Sequence, residues 1–179
     1  MAKLVIVEGP DGAGKSTLIQ NLVALGGFVS AHTGGPPRDK QDLEDKLGKV
    51  TQALDAAGHN ILVLDRHPAV SDPIYSKVTG ARSFATPGEL GEQVGALNPV
   101  FVYCRGSADS MRGNISKSPK AHKSPEHLLK VIQKHGEIVK LYDGVFARTP
   151  HIRFDWQRDS VLELAKVLLD KGGQRCVAL

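Results

Sequence analysis

The chain has 179 residues, of which 41% are hydrophobic and 23% are charged, and its formal net charge is +4. This length is typical of one globular domain, and no apolar run approaches the roughly 20 residues that a membrane-spanning helix needs. We therefore expect residues 1–179 to form a single domain with no membrane contact. No signal or transit peptide precedes the first apolar segment, so a cytoplasmic location is expected.

The first predicted element is a buried strand, because residues 4–7 are all apolar. It is followed by Gly9-Pro10-Asp11-Gly12-Ala13-Gly14-Lys15-Ser16-Thr17, which has the pattern G-x-x-x-x-G-K-[ST]. The glycines let consecutive backbone N–H groups turn toward phosphates, and the next helix points its positive dipole end at them. Lys15 is expected to reach the β- and γ-phosphates, and Ser16 to ligate Mg²⁺. Residues 11–17 therefore predict a binding site for ATP or another nucleoside triphosphate.

Helical and strand patterns alternate along the rest of the chain. Apolar positions at helical spacing predict helices at 16–25, 38–57, 72–78, 88–97, 108–115, 125–146 and 160–171. Short apolar runs predict further strands at 28–33, 61–65, 100–104 and 152–154. This alternation indicates a three-layer α/β fold, with a central five-stranded parallel sheet and helices on both faces. Together with the phosphate-binding motif it predicts the P-loop NTPase fold, in which ligands bind at the carboxyl ends of the strands.

Polar residues follow the third strand at this edge of the sheet, in the order Asp65, Arg66, His67. Asp65 is favoured as a ligand of Mg²⁺ or water, with a turn residue that caps the next segment as the alternative. Arg66 suits an acceptor phosphate, because a guanidinium binds phosphate through two hydrogen bonds; an ordinary ion pair is the alternative. His67 is not expected to act as a base, because a monophosphate acceptor is already an anion.

A basic segment, residues 105–124, follows the fourth strand and is predicted to form a lid. Its only acid is Asp109, whereas its basic residues are Arg105, Arg112, Lys117, Lys120 and Lys123. A polyphosphate ligand would explain this charge as well as nucleic acid would, and a solvated surface loop is the third alternative. The chain has neither a basic tail nor an aromatic-basic repeat, so small-molecule nucleotides are the expected partners and nucleic acid is not.

These three segments together have the properties that phosphoryl transfer needs. One cationic group must hold the donor phosphates, another must hold the acceptor phosphate, and a closing segment must exclude water. The leading interpretation is therefore a phosphotransferase. A nucleoside or small-molecule kinase that phosphorylates a hydroxyl group is the alternative, with Glu8 or Asp65 as its base. A nucleotide-dependent module that binds nucleic acid is a further alternative.

Val7 to Thr17, the Asp65-Arg66-His67 step and the basic lid resemble, in order and spacing, the thymidylate kinase branch of the nucleoside monophosphate kinases. Small bacteriophage deoxynucleoside monophosphate kinases are especially similar, and the resemblance covers most of the chain. It implies transfer of the ATP γ-phosphoryl group, with Mg²⁺, to a deoxynucleoside monophosphate such as dTMP. It also implies a homodimer.

The resemblance implies roles for individual residues. Asp11 would approach the 3′-hydroxyl of the acceptor sugar, and Arg66 would bind the acceptor phosphate. Lys15 and Ser16 would bind the donor phosphates and Mg²⁺. Gly12 stands where one subclass of the family has an arginine, and the missing charge is then expected from a lid residue, among Arg112, Lys117, Lys120 and Lys123.

The sequence departs from the family in the segment expected to contact the base. The family usually carries an aromatic residue soon after its Asp-Arg pair, which stacks on thymine, whereas residues 68–70 here are Pro-Ala-Val. Stacking on the base is then left to Tyr75, Phe84 or His67, each with core packing as the alternative. Arg82 is a candidate for contact with the base or the phosphate. Arg105 is a candidate for packing on the donor adenine.

Overall fold

The computed structural model describes residues 3–86, 92, 94–117 and 125–170, with side chains from residue 129 onward in the last range. Five strands form its sheet: β1 Lys3–Glu8, β2 Phe28–His32, β3 Ile61–Asp65, β4 Val100–Cys104 and β5 Ile152–Phe154. Their order across the sheet is β2-β3-β1-β4-β5, and all neighbours pair in parallel. The predicted five-stranded parallel sheet is confirmed. Because β1 is central, the P-loop that follows it lies at the middle of the carboxyl edge.

Six helices connect and flank these strands: α1 Lys15–Ala24, α2 Lys40–Ala56, α3 Pro68–Thr79, α4 Ala108–Lys117, α5 Pro125–Phe146 and α6 Val161–Asp170. Residues 94–97 are also helical. Successive side chains of a strand point to opposite faces of a sheet. Accordingly, Val5 and Val7 belong to one buried cluster, with residues of α1 and α6, whereas Leu4 and Ile6 belong to another, with residues of α2, α3 and α5. The three-layer architecture is confirmed by these two cores.

The largest difference from the predicted elements is at α3, which begins at Pro68 and not at residue 72. Pro68 is the first helical residue, where its fixed φ angle suits the helix and its missing N–H costs no hydrogen bond. His67, in an extended conformation, is the cap before it. Residues 68–71, which lie outside the predicted elements, therefore form the first turn of a helix.

Other boundaries agree within two residues, and α4 continues two residues beyond the predicted end at 115. Most of the predicted helix 88–97 lies outside the described residues, as do residues 118–124 of the predicted lid, including Lys120 and Lys123. Within the described ranges, no helix combines the length and the hydropathy that crossing a membrane requires.

Candidate active site

A cavity of about 1320 Å³ opens at the carboxyl edge of the sheet. Pockets for single drug-sized ligands commonly measure about 300–1,000 Å³, so this one has room for two nucleotides. Its walls include many of the residues singled out in the sequence: Asp11, Gly12, Gly14, Lys15, Ser16, Thr17, Asp65, Arg66, Tyr75, Arg82, Phe84 and Lys117. Residues that are up to 106 positions apart are thus brought to one site.

The P-loop forms one end of this cavity. Lys15 is the first residue of α1, and its Nζ donates a hydrogen bond to the carbonyl oxygen of Pro10 at 2.9 Å. Burial is the main cause that lowers the pKa of Lys15 to about 8. A buried ammonium that has lost its hydration gains more from an incoming anion than an exposed one does. The loop is therefore arranged to receive phosphates.

Gly12 explains how α4 reaches the P-loop. Its φ angle is 76°, and an added Cβ would overlap the carbonyl oxygen of Met111. From the same helix, Nδ2 of Asn114 donates to the carbonyl oxygen of Gly12 at 2.9 Å. An arginine at position 12 would have no room, which accounts for the glycine in physical terms.

The described part of the lid presents one of its cations to the cavity and turns another away. Lys117, the last residue of α4, lines the cavity. Arg112 instead pairs with Asp109 on the same helix, and its side chain is 50% exposed. Of these two candidates, Lys117 is the one within the cavity wall.

Arg66 and Asp11 form an ion pair in the wall of the cavity. Nη2 of Arg66 lies 2.6 Å from Oδ1 of Asp11, and the Tyr75 hydroxyl donates to Oδ2 of Asp11 at 2.9 Å. The guanidinium also lies over the Tyr75 ring, 4.9 Å from its centroid. Both side chains of the ion pair stay partly exposed, at 21% and 25%. A cation held in this way, yet open to the cavity, can still bind a phosphate.

The backbone of Arg66 is strained. Its φ angle is 64°, a left-handed conformation that costs a non-glycine residue about 1 kcal/mol or more. Such a residue persists only where its surroundings hold it, and its N–H donates to the carbonyl oxygen of Val7 at 3.1 Å. Behind the guanidinium, Nη1 donates to the Tyr142 hydroxyl at 3.0 Å, and that hydroxyl donates to Glu8 Oε2 at 3.2 Å.

Asp65 and Ser16 provide oxygen atoms next to the P-loop. Both line the cavity, and Oδ1 of Asp65 is a buried oxygen with no hydrogen-bond partner among the described residues. A buried carboxylate oxygen without a partner is costly unless a ligand completes it. Carboxylate, hydroxyl and water oxygens are the ligands that Mg²⁺ prefers. These two residues therefore fit a magnesium ion.

His67 does not reach the cavity. Its side chain is fully buried, and neither ring nitrogen has a hydrogen-bond partner in the described part of the chain. Burial lowers the pKa of His67 to about 4, so the ring is neutral near pH 7. Its backbone N–H, not its ring, is engaged, since it donates to Oε1 of Glu8 at 2.7 Å. Of the three candidates for stacking on a base, only Tyr75 and Phe84 line the cavity.

Asp72, which the sequence did not single out, anchors the segment that carries Arg82 and Phe84. Its Oδ2 accepts hydrogen bonds from the Ser83 hydroxyl at 2.8 Å and from the backbone N–H of Phe84 at 2.9 Å. Arg82 lies over the Phe84 ring, 5.5 Å from its centroid. Asp72, Arg82 and Phe84 all line the cavity, so this part of its wall combines a carboxylate, a guanidinium and an aromatic ring. A polar residue on the first turns of a helix gives no sequence signal for this anchoring role.

Trp156, the chain's only tryptophan, also went unrecognised. It lines the cavity beside the P-loop, and a Cβ added at Gly14 would lie 3.0 Å from its Cδ1. Its position just after a strand, at the edge where ligands bind, is a signal that could have identified it. Nε of Arg105 lies 3.1 Å from Oδ1 of Asp143 on α5, and the packing of Arg105 on a donor adenine stays a prediction.

No protein-family model matches the sequence, and no curated protein matches it. Solved structures do resemble it. The YorR protein of Bacillus subtilis, in complex with phosphorylated GDP, superposes with a TM-score of 0.65 at 19% identity, covering 98% of this chain and 100% of that one. Deoxyadenosine kinase from M. mycoides, with bound dATP, gives 0.57 at 18% identity, covering 96% and 100%. Thymidylate kinase from Candida albicans gives 0.57 at 12% identity, covering 94% and 90%.

The chain has the fold of the P-loop kinases. These similar structures include a kinase named for a nucleoside and one named for a nucleotide. One fold therefore serves acceptors that differ in whether they carry a phosphate, so the fold by itself does not determine a substrate.

Proposed function

We propose that this protein is an ATP- and Mg²⁺-dependent deoxynucleoside monophosphate kinase, which transfers the γ-phosphoryl group of ATP to dTMP or another deoxynucleotide. One observation supports it above the others. A single cavity with room for two nucleotides is lined both by Lys15 of the P-loop and by the partly exposed Arg66, which is paired with Asp11. The first suits donor phosphates, and the second suits the phosphate of an acceptor.

On the donor side, the residues bind and orient the triphosphate. The backbone N–H groups of the P-loop and the ammonium of Lys15 hold the β- and γ-phosphates at the start of α1. Ser16 and Asp65 would hold Mg²⁺, which neutralises charge on the phosphates when it is bound. Lys117, at the end of α4, adds positive charge from the lid side.

On the acceptor side, Arg66 orients the monophosphate. Its guanidinium can form two parallel hydrogen bonds to phosphate oxygens, which sets direction as well as distance. Asp11, which pairs with Arg66, would accept a hydrogen bond from the sugar hydroxyl of the acceptor. Because transfer depends mainly on positioning and charge neutralisation, no side chain needs to remove a proton from the acceptor.

A nucleoside kinase is the second candidate, since deoxyadenosine kinase has a similar structure. A hydroxyl acceptor needs a base within reach of the cavity. Of the two carboxylates considered from the sequence, Glu8 is fully buried, with its two oxygens accepting from His67 and Tyr142. Asp65 lines the cavity, and its Oδ1 has no hydrogen-bond partner within the described ranges, so it is the base that this candidate would use.

The deciding experiment measures ADP release from Mg·ATP with nucleosides, ribonucleoside monophosphates and deoxyribonucleoside monophosphates, each offered separately. We expect strong turnover with one or a few deoxynucleoside monophosphates and little with nucleosides. Turnover with nucleosides alone would replace the proposal with the second candidate. Binding of ATP with no turnover on any acceptor would reject both.

A further inference from the structure

Arg66 is held from behind by a buried pair of side chains that do not touch the cavity. Glu8 and Tyr142 are both fully buried. Tyr142 Oη lies 3.2 Å from Glu8 Oε2 on one side and 3.0 Å from Arg66 Nη1 on the other. Neither residue lines the cavity, whereas Arg66 does. Glu8 and Tyr142 therefore make no direct contact with a ligand in the cavity.

We propose that Tyr142 is a positioning residue that couples the buried carboxylate of Glu8 to the guanidinium of Arg66 and so sets the affinity for the acceptor phosphate. This inference rests on the proposed monophosphate kinase function. It concerns residues that come from the end of β1 and from near the C-terminal end of α5.

The coupling depends on the direction in which the Tyr142 hydroxyl proton points. A tyrosine hydroxyl has one proton to donate and lone pairs with which to accept. A guanidinium has donors only, so the contact with Arg66 requires Tyr142 to accept. The Tyr142 proton must then point elsewhere, and Oε2 of Glu8 accepts it. Glu8 thus orients the hydroxyl so that its lone pair faces Arg66.

The Arg66 guanidinium needs a second hydrogen bond, on the side away from the cavity, because its other side-chain contact is at the cavity wall. Its second terminal nitrogen, Nη2, is paired with Asp11 at the cavity wall, and its backbone is in the strained left-handed conformation. A phosphate that enters the cavity competes with Asp11 for the guanidinium. With Tyr142 bound to Nη1, the guanidinium plane keeps its orientation during that exchange, which preserves the two-bonded geometry that phosphate requires.

Two substitutions interrupt the coupling at different points. Tyr142→Phe removes the hydroxyl and keeps the ring, including its stacking against Tyr103, whose centroid is 6.3 Å away. Glu8→Gln keeps the shape, but the introduced amide can donate to the Tyr142 oxygen, so the hydroxyl is no longer required to turn its lone pair to Arg66. Each is expected to raise the KM for the acceptor roughly 10-fold, because hydrogen bonds to charged groups have effects of that order.

Tyr103→Phe is the matched control. Tyr103, on β4, is also buried, and its hydroxyl donates to Asp143 of α5 and not to Glu8 or Arg66. This variant loses one hydrogen bond from a buried tyrosine, but it keeps the Tyr103 ring beside Tyr142 and both hydrogen bonds of the proposed coupling. It should leave the KM for the acceptor within about 2-fold of the wild type, while unfolding shows a comparable loss of stability.

The experiment determines kcat and the KM values for acceptor and Mg·ATP in the wild type, the three single variants and the double variant Glu8→Gln/Tyr142→Phe. We expect the acceptor KM to rise in Tyr142→Phe and in Glu8→Gln with the Mg·ATP KM within about 2-fold of the wild type, and the double variant to be no worse than either single one. A double variant whose effect equals the product of the two single effects would overturn the proposal. So would an unchanged acceptor KM in Tyr142→Phe, or an equal rise in Tyr103→Phe.

A second readout keeps the inference separate from the proposed function. The side-chain ¹⁵N–¹H signals of Arg66 report how freely its guanidinium rotates, and Arg66→Lys identifies them by their loss. We expect slow rotation in the wild type and in Tyr103→Phe, and fast rotation in Tyr142→Phe. Fast rotation in the wild type would overturn the coupling. If rotation is slow but no monophosphate is phosphorylated, the proposed function and the acceptor role of the coupling are both rejected, and only the restraint on Arg66 stands.

Discussion

The guanidinium of Arg66 and the carboxylate of Asp11 form an ion pair of 2.6 Å at the wall of the cavity. The two residues are 55 positions apart in the chain, one after β1 and the other after β3. Because these strands are neighbours in a parallel sheet, their carboxyl ends bring the two side chains together. This pair is the junction between the phosphate-binding loop and the proposed acceptor site.

Replacement of Arg66 by lysine tests the acceptor site. Lysine keeps the positive charge but loses the planar pair of donors, so we expect Arg66→Lys to raise the acceptor KM about 10-fold or more and to leave the Mg·ATP KM within about 3-fold. Arg148→Lys, at an exposed position outside the cavity wall, is the matched control. Steady-state kinetics at low acceptor concentration measure both. Unchanged kcat/KM for the acceptor in Arg66→Lys would contradict the assignment.

Lys117 and Arg112 lie on the same helix, α4, and their alanine variants give a second matched comparison. We expect Lys117→Ala to lower kcat roughly 10-fold or more, because its charge lies in the cavity wall where negative charge develops. Arg112→Ala should change kcat less than about 3-fold, since its half-exposed side chain already pairs with Asp109. Single-turnover rates separate this effect from product release. A larger effect of Arg112→Ala would reverse the assignment.

The fluorescence of Trp156 should report nucleotide binding. It is the only tryptophan in the chain, so emission comes from one place, beside Gly14 in the P-loop. We expect Mg·ATP to change its intensity or wavelength with saturation, and a deoxynucleoside monophosphate added alone to have a smaller effect. Lys15→Ala should shift the ATP titration to higher concentration. A signal that responds to the monophosphate and not to ATP would place the donor elsewhere.

Gly12 and Gly48 should respond to alanine in opposite directions. Gly12 has a positive φ angle and no room for a Cβ, so Gly12→Ala is expected to lower the free energy of unfolding by at least about 2 kcal/mol. Gly48 lies exposed inside α2 with open space around it, so Gly48→Ala is expected to raise it by about 0.5–1 kcal/mol. Urea unfolding measures both values. Tolerance of Gly12→Ala would mean that α4 does not pack on the P-loop.

Glu8 should make stability depend on pH. Burial raises the pKa of Glu8 from 4.5 to about 7, so between these values the folded protein holds a proton that the unfolded chain releases. Its contribution to stability is then present below about pH 4.5 and is lost as the pH rises through 7, by up to roughly 3 kcal/mol. Glu8→Gln cannot ionise, so it should be more stable than the wild type at pH 8, with the difference shrinking toward pH 5.

The difference in stability between the wild type and Glu8→Gln does not include the titration of other groups, because both proteins contain them. His67, whose pKa burial lowers to about 4, changes stability in the opposite direction, with stability rising as the pH rises from 4 to 6.5. It is present in both proteins and drops out of their difference. Urea unfolding at pH 5, 6, 7 and 8 gives that difference directly. A difference that does not vary with pH would show that Glu8 does not titrate in this range.

The sequence determined the parts of this protein that depend on local patterns. The P-loop motif after an apolar strand, and the alternation of strands with helices, were sufficient for the sheet, its parallel pairing and the position of the cavity. The strands at 61–65, 100–104 and 152–154 were predicted with the bounds that the structure has. Continuous apolar runs are decisive here because both faces of the sheet are covered by helices.

Only the tertiary structure decided which side chains of the candidate site touch one another. Tyr142 read as one more apolar position of a long helix, yet its hydroxyl contacts Glu8 and Arg66, 134 and 76 positions away. His67, adjacent to Arg66 in the chain, is buried under the site instead of within it. Periodicity records which face of an element is apolar, whereas hydrogen bonds between distant residues depend on the packed positions of whole elements, which no local pattern contains.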